Sequence, residues 1–309
     1  MPRWTQDDMP DMSGRTAIVT GSTAGIGAEA AMALAGRGAE VILAVRNPAK
    51  GARTRASILA RHPGGSVEVE PIDLADLGSV RAFAARIVDG GRPIHVLLNN
   101  AGLGLLSRRE VTKDGFEMQF GTNHLGHFVL TGLLLPALLR ADAPRVVTIS
   151  SVAHRRGRID LDDLQAERRY GRSSTYAQSK LANLMFALTL DRRARAAESA
   201  LLSVAAHPGI SLTDFFHGAG RIGLRVSPAN PISRRLGLDP ARGALPGLYA
   251  ATMPGIQGGD YVGPDGLGEI RGWPAPARIS PHAHDRAIQE RLWAASEALT
   301  GVDFEALRH

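Results

Sequence analysis

The sequence predicts a doubly wound α/β fold, in which one parallel sheet is covered by helices on both faces. Short apolar runs rich in β-branched residues recur along the 309 residues. Several of these runs are apolar without alternation, as expected for strands that are buried on both faces. Ala- and Leu-rich stretches with helical spacing lie between them, and this strand–helix–strand order requires the right-handed crossovers that build a parallel sheet.

The predicted elements follow one another without a dividing linker. Six runs have the composition of buried strands: Thr16–Thr20, Glu40–Val45, Ser66–Ile72, His95–Asn100, Arg145–Ser151 and Leu201–Ala206. Stretches with helical spacing include Ile26–Arg37, Ser79–Val88 and Tyr176–Ala197. Two insertions interrupt the pattern, namely 154–174, expected to be a surface loop, and the Gly-, Pro- and Arg-rich 215–239, expected to be a mobile substrate loop. We therefore predict a single domain over residues 1–309.

Composition excludes several classes of function. Cysteine is absent, which rules out disulfides, thiolate catalysis and Cys-ligated zinc. The net charge is +6, but the arginines are scattered and aromatic residues make up only 5%, so nucleic-acid binding is not expected. The four histidines near the predicted strand ends lack ligand spacing, and no metal site is expected: His124, His127, His154 and His207. The polar N-terminus and the short apolar stretch 128–139 predict no membrane anchor and a cytoplasmic protein.

A glycine-rich turn follows the first predicted strand and opens a helix. The stretch TAIVTGSTAGIG places Gly21, Gly25 and Gly27 between the two elements. Gly21 permits a tight turn, Gly25 lets backbone amides approach a phosphate, and Gly27 lets the helix pack closely against the sheet. The helix N-terminus then offers unpaired N–H groups and a positive dipole end to a pyrophosphate. The sequence therefore predicts a dinucleotide site at this turn.

The end of the second predicted strand indicates which dinucleotide is bound. A fold of this kind that uses NAD usually carries an acidic residue here for the ribose 2′-hydroxyl. Val45 occupies that position and Arg46 follows it. Arginine can pair with a 2′-phosphate, and no carboxylate is present to repel one. The sequence thus favours NADP(H).

The chain resembles the short-chain dehydrogenase/reductase family, whose members have a Rossmann-like fold. The spacing Thr-Gly-x-x-x-Gly-x-Gly begins at Thr20, and the family's further motifs follow in order: IDL, NNAG, TNHLGHF, VVTISS, YAQSK and HPGISLT. NHLGHF, SSVAH and YVGPDGLGEIRG are most similar to the retinol-dehydrogenase-like branch. Several eukaryotic members of that branch have a membrane anchor that is not expected here, so we do not carry over the retinoid substrate.

The resemblance implies a set of cofactor-binding residues. It places Asp73 and Leu74 at the adenine, the NNAG segment on the adenosine side, and the HPGISLT segment at the nicotinamide end. Together with the glycine turn and Arg46, the expected cofactor contacts are Gly21, Ser22, Thr23, Gly25, Ile26, Gly27, Asp73, Leu74, Asn100, Ala101, Gly102, Tyr176, Lys180, Pro208, Gly209 and Thr213.

The pair Tyr176 and Lys180 predicts proton-transfer chemistry. Only three of the 36 cationic side chains are lysines, so a lysine one helical turn after a tyrosine is unusual here. Hydride transfer to a carbonyl leaves an alkoxide that needs a proton, and a nearby ammonium group would lower the pKa of a tyrosine that supplies it. Residues four apart share a helix face, and the compact ammonium differs in shape from an arginine fork. Tyr176 is thus the expected general acid and base.

The resemblance completes the catalytic set. It implies that Ser151 polarises the carbonyl oxygen and that Asn123 holds a water in a proton relay to Lys180. Ser150 and Ser151 are adjacent at a strand end and therefore point to opposite sides. The resemblance favours Ser151.

The predicted function is an NADP(H)-dependent oxidoreductase that reduces a ketone or aldehyde, or oxidises the alcohol. The alternatives are a non-catalytic NADPH-binding regulator and an epimerase that uses the nicotinamide transiently. Apolar residues in 215–239 predict a hydrophobic small-molecule substrate: Phe215, Phe216, Ile222 and Leu224. A homo-oligomer is possible, with the predicted helices Phe116–Leu139 and Tyr176–Ala197 as candidate interfaces.

Overall fold

A computed structural model describes residues 3–209 and 239–308. Within them lies one eight-stranded sheet of order β3-β2-β1-β4-β5-β6-β7-β8. Neighbouring strands are parallel except β8, which is antiparallel to β7. The strands are β1 Thr16–Thr20, β2 Glu40–Val45, β3 Ser66–Pro71, β4 Val96–Asn99, β5 Arg145–Ile149, β6 Leu202–Ala206, β7 Tyr261–Pro264 and β8 Pro274–Pro276. The predicted doubly wound parallel sheet is confirmed.

Helices cover both faces of the sheet. They are α1 Gly25–Gly36, α2 Pro48–Arg61, α3 Leu77–Asp89, α4 Met118–Phe120, α5 Gly126–Leu138, α6 Arg172–Ala196, α7 Pro240–Thr252 and α8 Arg286–Thr300. A π-helical turn, Gly121–Leu125, joins α4 to α5. In β1, Ala17 and Val19 pack into the core with α1 and α7, whereas Ile18 packs with α3 and α5. Burial on both faces explains the unbroken apolar run of this strand.

The strand order changes direction between β1 and β4, which lie side by side in the middle of the sheet. The chain winds from β1 through β2 to β3 on one side, and from β4 through β7 on the other. In such sheets a crevice opens beyond the carboxyl ends of the two central strands, and ligands bind there. The glycine turn follows β1 and the NNAG segment follows β4, so both motifs lie at this crevice.

The C-terminal segment packs over α5 and α6. Phe128 of α5 and Phe186 of α6 form an aromatic cluster with Trp293 and Phe304. A Cβ at Gly132 would lie 2.8 Å from Val302, so glycine permits this close approach. Parts of the two helices that the sequence offers as an oligomer interface are therefore covered by the chain itself.

The expectation of a surface loop over 154–174 is wrong in part. α6 already begins at Arg172, and Leu164 and Ala166 are buried in this segment. The Asp163 carboxylate stabilises the turn by accepting hydrogen bonds from the amides of three following residues, Glu167, Arg168 and Arg169.

The substrate loop expected over 215–239 lies outside the described residues, apart from Asp239, which caps α7. Among the helices that are described, none combines the length and the apolar character needed to cross a bilayer.

Candidate active site

The turn after β1 has the backbone conformation that its glycines were expected to permit. Gly21 and Gly25 adopt φ angles of +67° and +60°, in the left-handed region that side chains disfavour. A Cβ at Gly21 would lie 2.8 Å from the Cα of Ala101, so this turn touches the segment after β4. A Cβ at Gly27 would lie 2.5 Å from the Gly21 carbonyl oxygen and 2.5 Å from Asn100 Nδ2. Gly27 therefore allows close packing against the turn and Asn100.

The start of α1 offers hydrogen-bond donors to the crevice. The helix begins at Gly25, and the capping residue Ala24 supplies no side-chain acceptor for the first amides. The Oγ of Ser22 is buried and has no hydrogen-bond partner among the described residues. Free amides and an orphaned hydroxyl at a helix N-terminus fit the phosphates of a dinucleotide. The residues present thus fit the expected cofactor.

Thr20 joins the glycine turn to the NNAG segment through one hydroxyl. Thr20 Oγ1 accepts hydrogen bonds from the amides of Asn100 at 2.9 Å and Ala101 at 3.0 Å. It also lies 3.0 Å from Nε2 of His127, whose Nδ1 lies 2.9 Å from the Asn123 carbonyl oxygen. Because a carbonyl can only accept, Nδ1 carries the proton and Nε2 accepts from Thr20. Burial lowers the pKa of His127 to about 4, which keeps the ring neutral.

The end of β2, at the edge of the crevice, carries no acidic residue. Val45 is buried, whereas Arg46 is exposed and forms no hydrogen bond or ion pair with the rest of the described chain. After β3, the Asp73 carboxylate accepts from the amide of Ala75, and the Asp73 amide donates to Ser79 Oγ. Leu74 is buried beside this turn. Because β2 pairs with β3 in parallel, Arg46, Asp73 and Leu74 follow the carboxyl ends of neighbouring strands.

Tyr176 and Lys180 lie one turn apart on α6. The Lys180 Nζ lies 6.0 Å from the centroid of the Tyr176 ring and donates to the Ile149 carbonyl oxygen at 3.1 Å. A Cβ at Gly102 would lie 3.2 Å from Nζ, so glycine leaves space beside the ammonium group. Burial lowers the pKa of Lys180 to about 8. The lysine is thus a buried cation with two N–H groups beyond the one used by Ile149.

The phenol of Tyr176 shares a hydrogen bond with the side chain of Ser151. Burial raises the pKa of Tyr176, and the hydrogen bond with Ser151 partly offsets this rise. The expected lowering of the tyrosine pKa by Lys180 is not found, because burial outweighs the contribution that lowers the pKa. The phenol is therefore protonated here, which is the state that a proton donor requires.

The two serines that follow β5 have different surroundings. Ser150 is buried, and its Oγ donates to the Lys180 carbonyl oxygen at 2.7 Å. Ser151 lies at the start of the 3₁₀ turn Val152–Arg156, where its Oγ accepts from the Ala153 amide at 3.2 Å. Ser150 thus fastens β5 to the α6 backbone, whereas the Ser151 side chain meets Tyr176.

Asn123 lies in the π-helical turn before α5 and is fully buried. Its Nδ2 donates to the Leu103 carbonyl oxygen at 2.8 Å and to Ser179 Oγ at 2.9 Å. Its Oδ1 accepts from the Leu103 amide at 2.9 Å. These bonds fix the segment after β4 against α6, close to Lys180.

The loop after β6 brings Pro208 and Gly209 to the same edge of the sheet. Gly209 has a φ of +77°, and its amide donates to His207 Nδ1 at 3.2 Å. Thr213 lies outside the described residues. Three polar side chains lie around Ser151 and His207: His154, Tyr261 and Glu269. The sequence indicates only a structural or pocket role for His154, and none for Tyr261 or Glu269. Their segments, SSVAH and YVGPDGLGEIRG, were singled out only for their resemblance to one branch. Within residues 3–209 and 239–308, no cluster of His, Asp and Glu side chains could hold a metal ion.

Comparisons with known proteins identify the family of the chain. Residues 15–221 match the sequence profile of the short chain dehydrogenase family. The chain is 39% identical to human retinol dehydrogenase 13 over 300 residues, which cover 96% of this chain and 87% of the relative. It is 40% identical to mouse polyprenol dehydrogenase over 304 residues, with 95% and 86% covered. A crystal structure of an uncharacterized protein from Mycobacterium paratuberculosis shares 43% identity and a TM-score of 0.81, with 98% and 99% of the two chains covered.

Proposed function

The chain belongs to the short-chain dehydrogenase/reductase family, in its retinol-dehydrogenase-like branch, and from this premise we propose that it is an NADP(H)-dependent oxidoreductase. Its reaction is the reduction of a ketone or aldehyde to the alcohol, or the reverse. The observation that carries the proposal is the hydrogen bond between the Tyr176 phenol and Ser151, beside the ammonium of Lys180. These three side chains meet at the carboxyl end of β5, next to the crevice formed by the glycine turn.

The proposed mechanism assigns one task to each side chain. Ser151 donates a hydrogen bond to the carbonyl oxygen of the substrate and so polarises it. Tyr176 donates its proton to that oxygen as negative charge develops there. The ammonium of Lys180 stabilises the phenolate that remains. In the oxidative direction Tyr176 accepts the proton instead.

NADP(H), when bound, supplies or accepts the hydride. The residues that would hold its pyrophosphate are those of the turn from Gly21 to Gly27, with the orphaned Ser22 hydroxyl among them. The exposed guanidinium of Arg46 would pair with the 2′-phosphate, and the absence of an acid at Val45 supports that preference. Lys180 would hold ribose hydroxyls with its remaining N–H groups.

The segment after β4 supports a hydrophobic substrate. Leu103, Leu105 and Leu106 are only half-buried, and Asn123 holds Leu103 close to Lys180. Apolar residues in a segment that Asn123 fixes near Lys180 favour a substrate with an apolar body and one reactive oxygen. The apolar residues from Phe215 to Leu224, which also predict a hydrophobic substrate, lie outside the described residues.

The test is NADPH oxidation by the purified protein with a panel of aldehydes and ketones of increasing chain length. The proposal predicts loss of NADPH absorbance in equal amount to the alcohol formed, with a preference for apolar carbonyls. NADPH binding without turnover of any compound would favour a regulator. A changed substrate without net NADPH loss would favour an epimerase. A parallel assay with NADH measures the cofactor preference.

A cytoplasmic location belongs to the same proposal. Fractionation of expressing cells tests it, with activity expected in the supernatant after high-speed centrifugation. Activity that pellets with membranes and is released only by detergent would contradict this location.

A further inference from the structure

Glu269 has an unusual backbone for its residue type. It lies in the connection between β7 and β8 with a φ of +58°, directly after Gly268 with a φ of +65°. The left-handed region disfavours a residue with a Cβ relative to glycine. Contacts of the side chain must therefore compensate for the backbone that carries it.

The carboxylate of Glu269 contacts three other parts of the chain. Its Oε2 accepts from His207 Nε2 at 3.0 Å and lies 2.5 Å from a guanidinium nitrogen of Arg155. Its Oε1 accepts from the Arg278 amide at 3.1 Å. Although burial raises the pKa of Glu269, these hydrogen bonds and the Arg155 charge lower it to about 2. The carboxylate is thus a permanent anion that both oxygens tie to the protein.

One of these contacts reaches the loop after β6 through His207. His207 Nδ1 accepts from the Gly209 amide, so Nε2 carries the ring proton and donates it to Glu269. A Cβ at Gly263 would lie 2.0 Å from Nε2, so only glycine leaves room for this ring. Glu269 therefore fixes the orientation of His207, and His207 fixes the turn at Pro208 and Gly209.

The second contact reaches the turn that carries Ser151. Arg155 lies in the 3₁₀ turn Val152–Arg156, which the Ser151 hydroxyl caps. The Ser151 carbonyl oxygen accepts from His154 Nδ1 at 2.6 Å, and His154 Nε2 accepts from the Ser280 amide at 3.2 Å. The turn is thus held to the chain beyond β7 both by Arg155 with Glu269 and by His154 with Ser280.

We propose that Glu269 is a positioning residue that fixes the Ser151 turn and the Pro208–Gly209 turn relative to each other. It acts through Arg155 on the first and through His207 on the second. Ser151 then keeps its hydrogen bond with Tyr176 at the place where the substrate oxygen must lie. This inference rests on the proposed function for its kinetic consequence, whereas its structural consequence is independent of substrate.

Two substitutions distinguish the effect of the Glu269 carboxylate from the effect of its left-handed backbone. Glu269→Gln keeps the shape of the side chain but removes the charge that faces Arg155. Glu269→Gly removes all side-chain contacts while relieving the left-handed backbone. Glu290→Gln is the matched control, because Glu290 also pairs with two arginines, Arg192 and Arg193, but on the exposed face of α8.

Kinetics and hydrogen exchange then test the proposal on the full chain. Both Glu269 variants should lose about tenfold or more in kcat, since small misplacements of reacting groups have effects of that size. Their NADPH Kd should rise by a smaller factor than kcat falls, because the turn from Gly21 to Gly27 is untouched and only the contacts at Pro208 and Gly209 are loosened. Amide exchange should accelerate in peptides covering 152–157 and 207–209, and Glu290→Gln should resemble the wild type in all three measurements. Adding Arg155→Met to Glu269→Gln should cost little further kcat, because the two residues act as a unit.

Other outcomes overturn the proposal. Unchanged kcat and unchanged exchange in both variants would show that Glu269 positions neither turn. A Glu269→Gly variant with a higher unfolding midpoint and full kcat would show that the residue has no positioning role. If the wild type turns over no carbonyl compound, the proposed function fails, and hydrogen exchange alone decides whether Glu269 holds the two turns.

Discussion

Asn123 and Leu103 hold each other through two hydrogen bonds, one in each direction. The Leu103 amide donates to Asn123 Oδ1 at 2.9 Å, and Asn123 Nδ2 donates to the Leu103 carbonyl oxygen at 2.8 Å. A third bond, from Nδ2 to Ser179 Oγ, connects the pair to α6. Asn123 therefore acts as a structural clamp between the wall of the crevice and the helix of Tyr176, in addition to the relay role expected from the sequence.

Replacing Asn123 with Asp tests this clamp. A carboxylate cannot donate to Leu103 or Ser179 and would face a carbonyl oxygen in a buried site, so we expect a loss of about 1–3 kcal/mol in the free energy of unfolding. Urea denaturation measures it. Asn47→Asp is the control, because Asn47 caps α2 only through its oxygen, which Asp retains. Equal stability of Asn123→Asp and the wild type would contradict the clamp.

Substitution of the two serines after β5 should have different effects, one mainly on catalysis and the other mainly on stability. Ser151→Ala removes the hydroxyl that faces Tyr176, and we expect kcat to fall roughly 100-fold, as for loss of one oxyanion donor. Ser150→Ala removes a buried hydrogen bond to α6, and we expect a loss of about 1 kcal/mol in stability with a much smaller effect on kcat. Steady-state kinetics and thermal unfolding of both variants measure this. The reverse pattern would move the catalytic role to Ser150.

Arg46 should determine the preference for NADPH. Arg46→Ala removes the cation proposed for the 2′-phosphate, and a charge-assisted hydrogen bond of ordinary strength predicts roughly a tenfold to hundredfold rise in the NADPH Kd. The NADH Kd should stay nearly constant. Fluorescence titration with both nucleotides measures the two constants, and Arg61→Ala, at the far end of α2, is the control. Equal weakening for both nucleotides would reject a 2′-phosphate contact.

Lys180 should lower the free energy of unfolding, because its charged form is buried, although the proposed activity requires this residue. Burial lowers its pKa from 10.5 to about 8, so the unfolded chain binds the proton more tightly than the folded chain between these values. The contribution of Lys180 to the free energy of unfolding should therefore be least favourable below pH 8. It should become more favourable as the pH increases from 8 to 10.5. Lys180→Met should gain about 2 kcal/mol at pH 7 and lose most activity. Thermal unfolding at pH 7 and pH 9.5 measures this, and a variant that is destabilised at both pH values would contradict the assignment.

The sequence predicts the strands and the crevice well because burial on both faces leaves a strong pattern. β1 and β2 have the predicted bounds, since Thr16–Thr20 and Glu40–Val45 contain the continuous apolar runs AIV and VILAV. β8, by contrast, is a three-residue antiparallel strand bounded by Pro274 and Pro276, and such a short edge strand has no periodicity to detect. β7 is not predicted either, because Gly263 and Pro264 interrupt its apolar run, whereas the equally short β4 has an unbroken one.

In the candidate site, contacts between residues close in the sequence could be predicted, whereas contacts between distant residues could not. Tyr176 and Lys180 are four residues apart, so a helix alone brings them together. Glu269 and His207 are 62 residues apart and meet only through the pairing of β6 with β7. The raised pKa of Tyr176 likewise depends on burial by distant segments. The sequence therefore reveals the motif of Tyr176 and Lys180 but not the segments that bury it.

In the proposed mechanism the Tyr176 phenol delivers the proton that accompanies hydride transfer. The most direct measurement is single-turnover NADPH oxidation by Tyr176→Phe, with the NADPH Kd of the same preparation measured by fluorescence. General acid catalysis predicts a rate roughly 100- to 10,000-fold below the wild type with a nearly unchanged Kd. A Tyr176→Phe variant that oxidises NADPH at the wild-type rate would contradict the account.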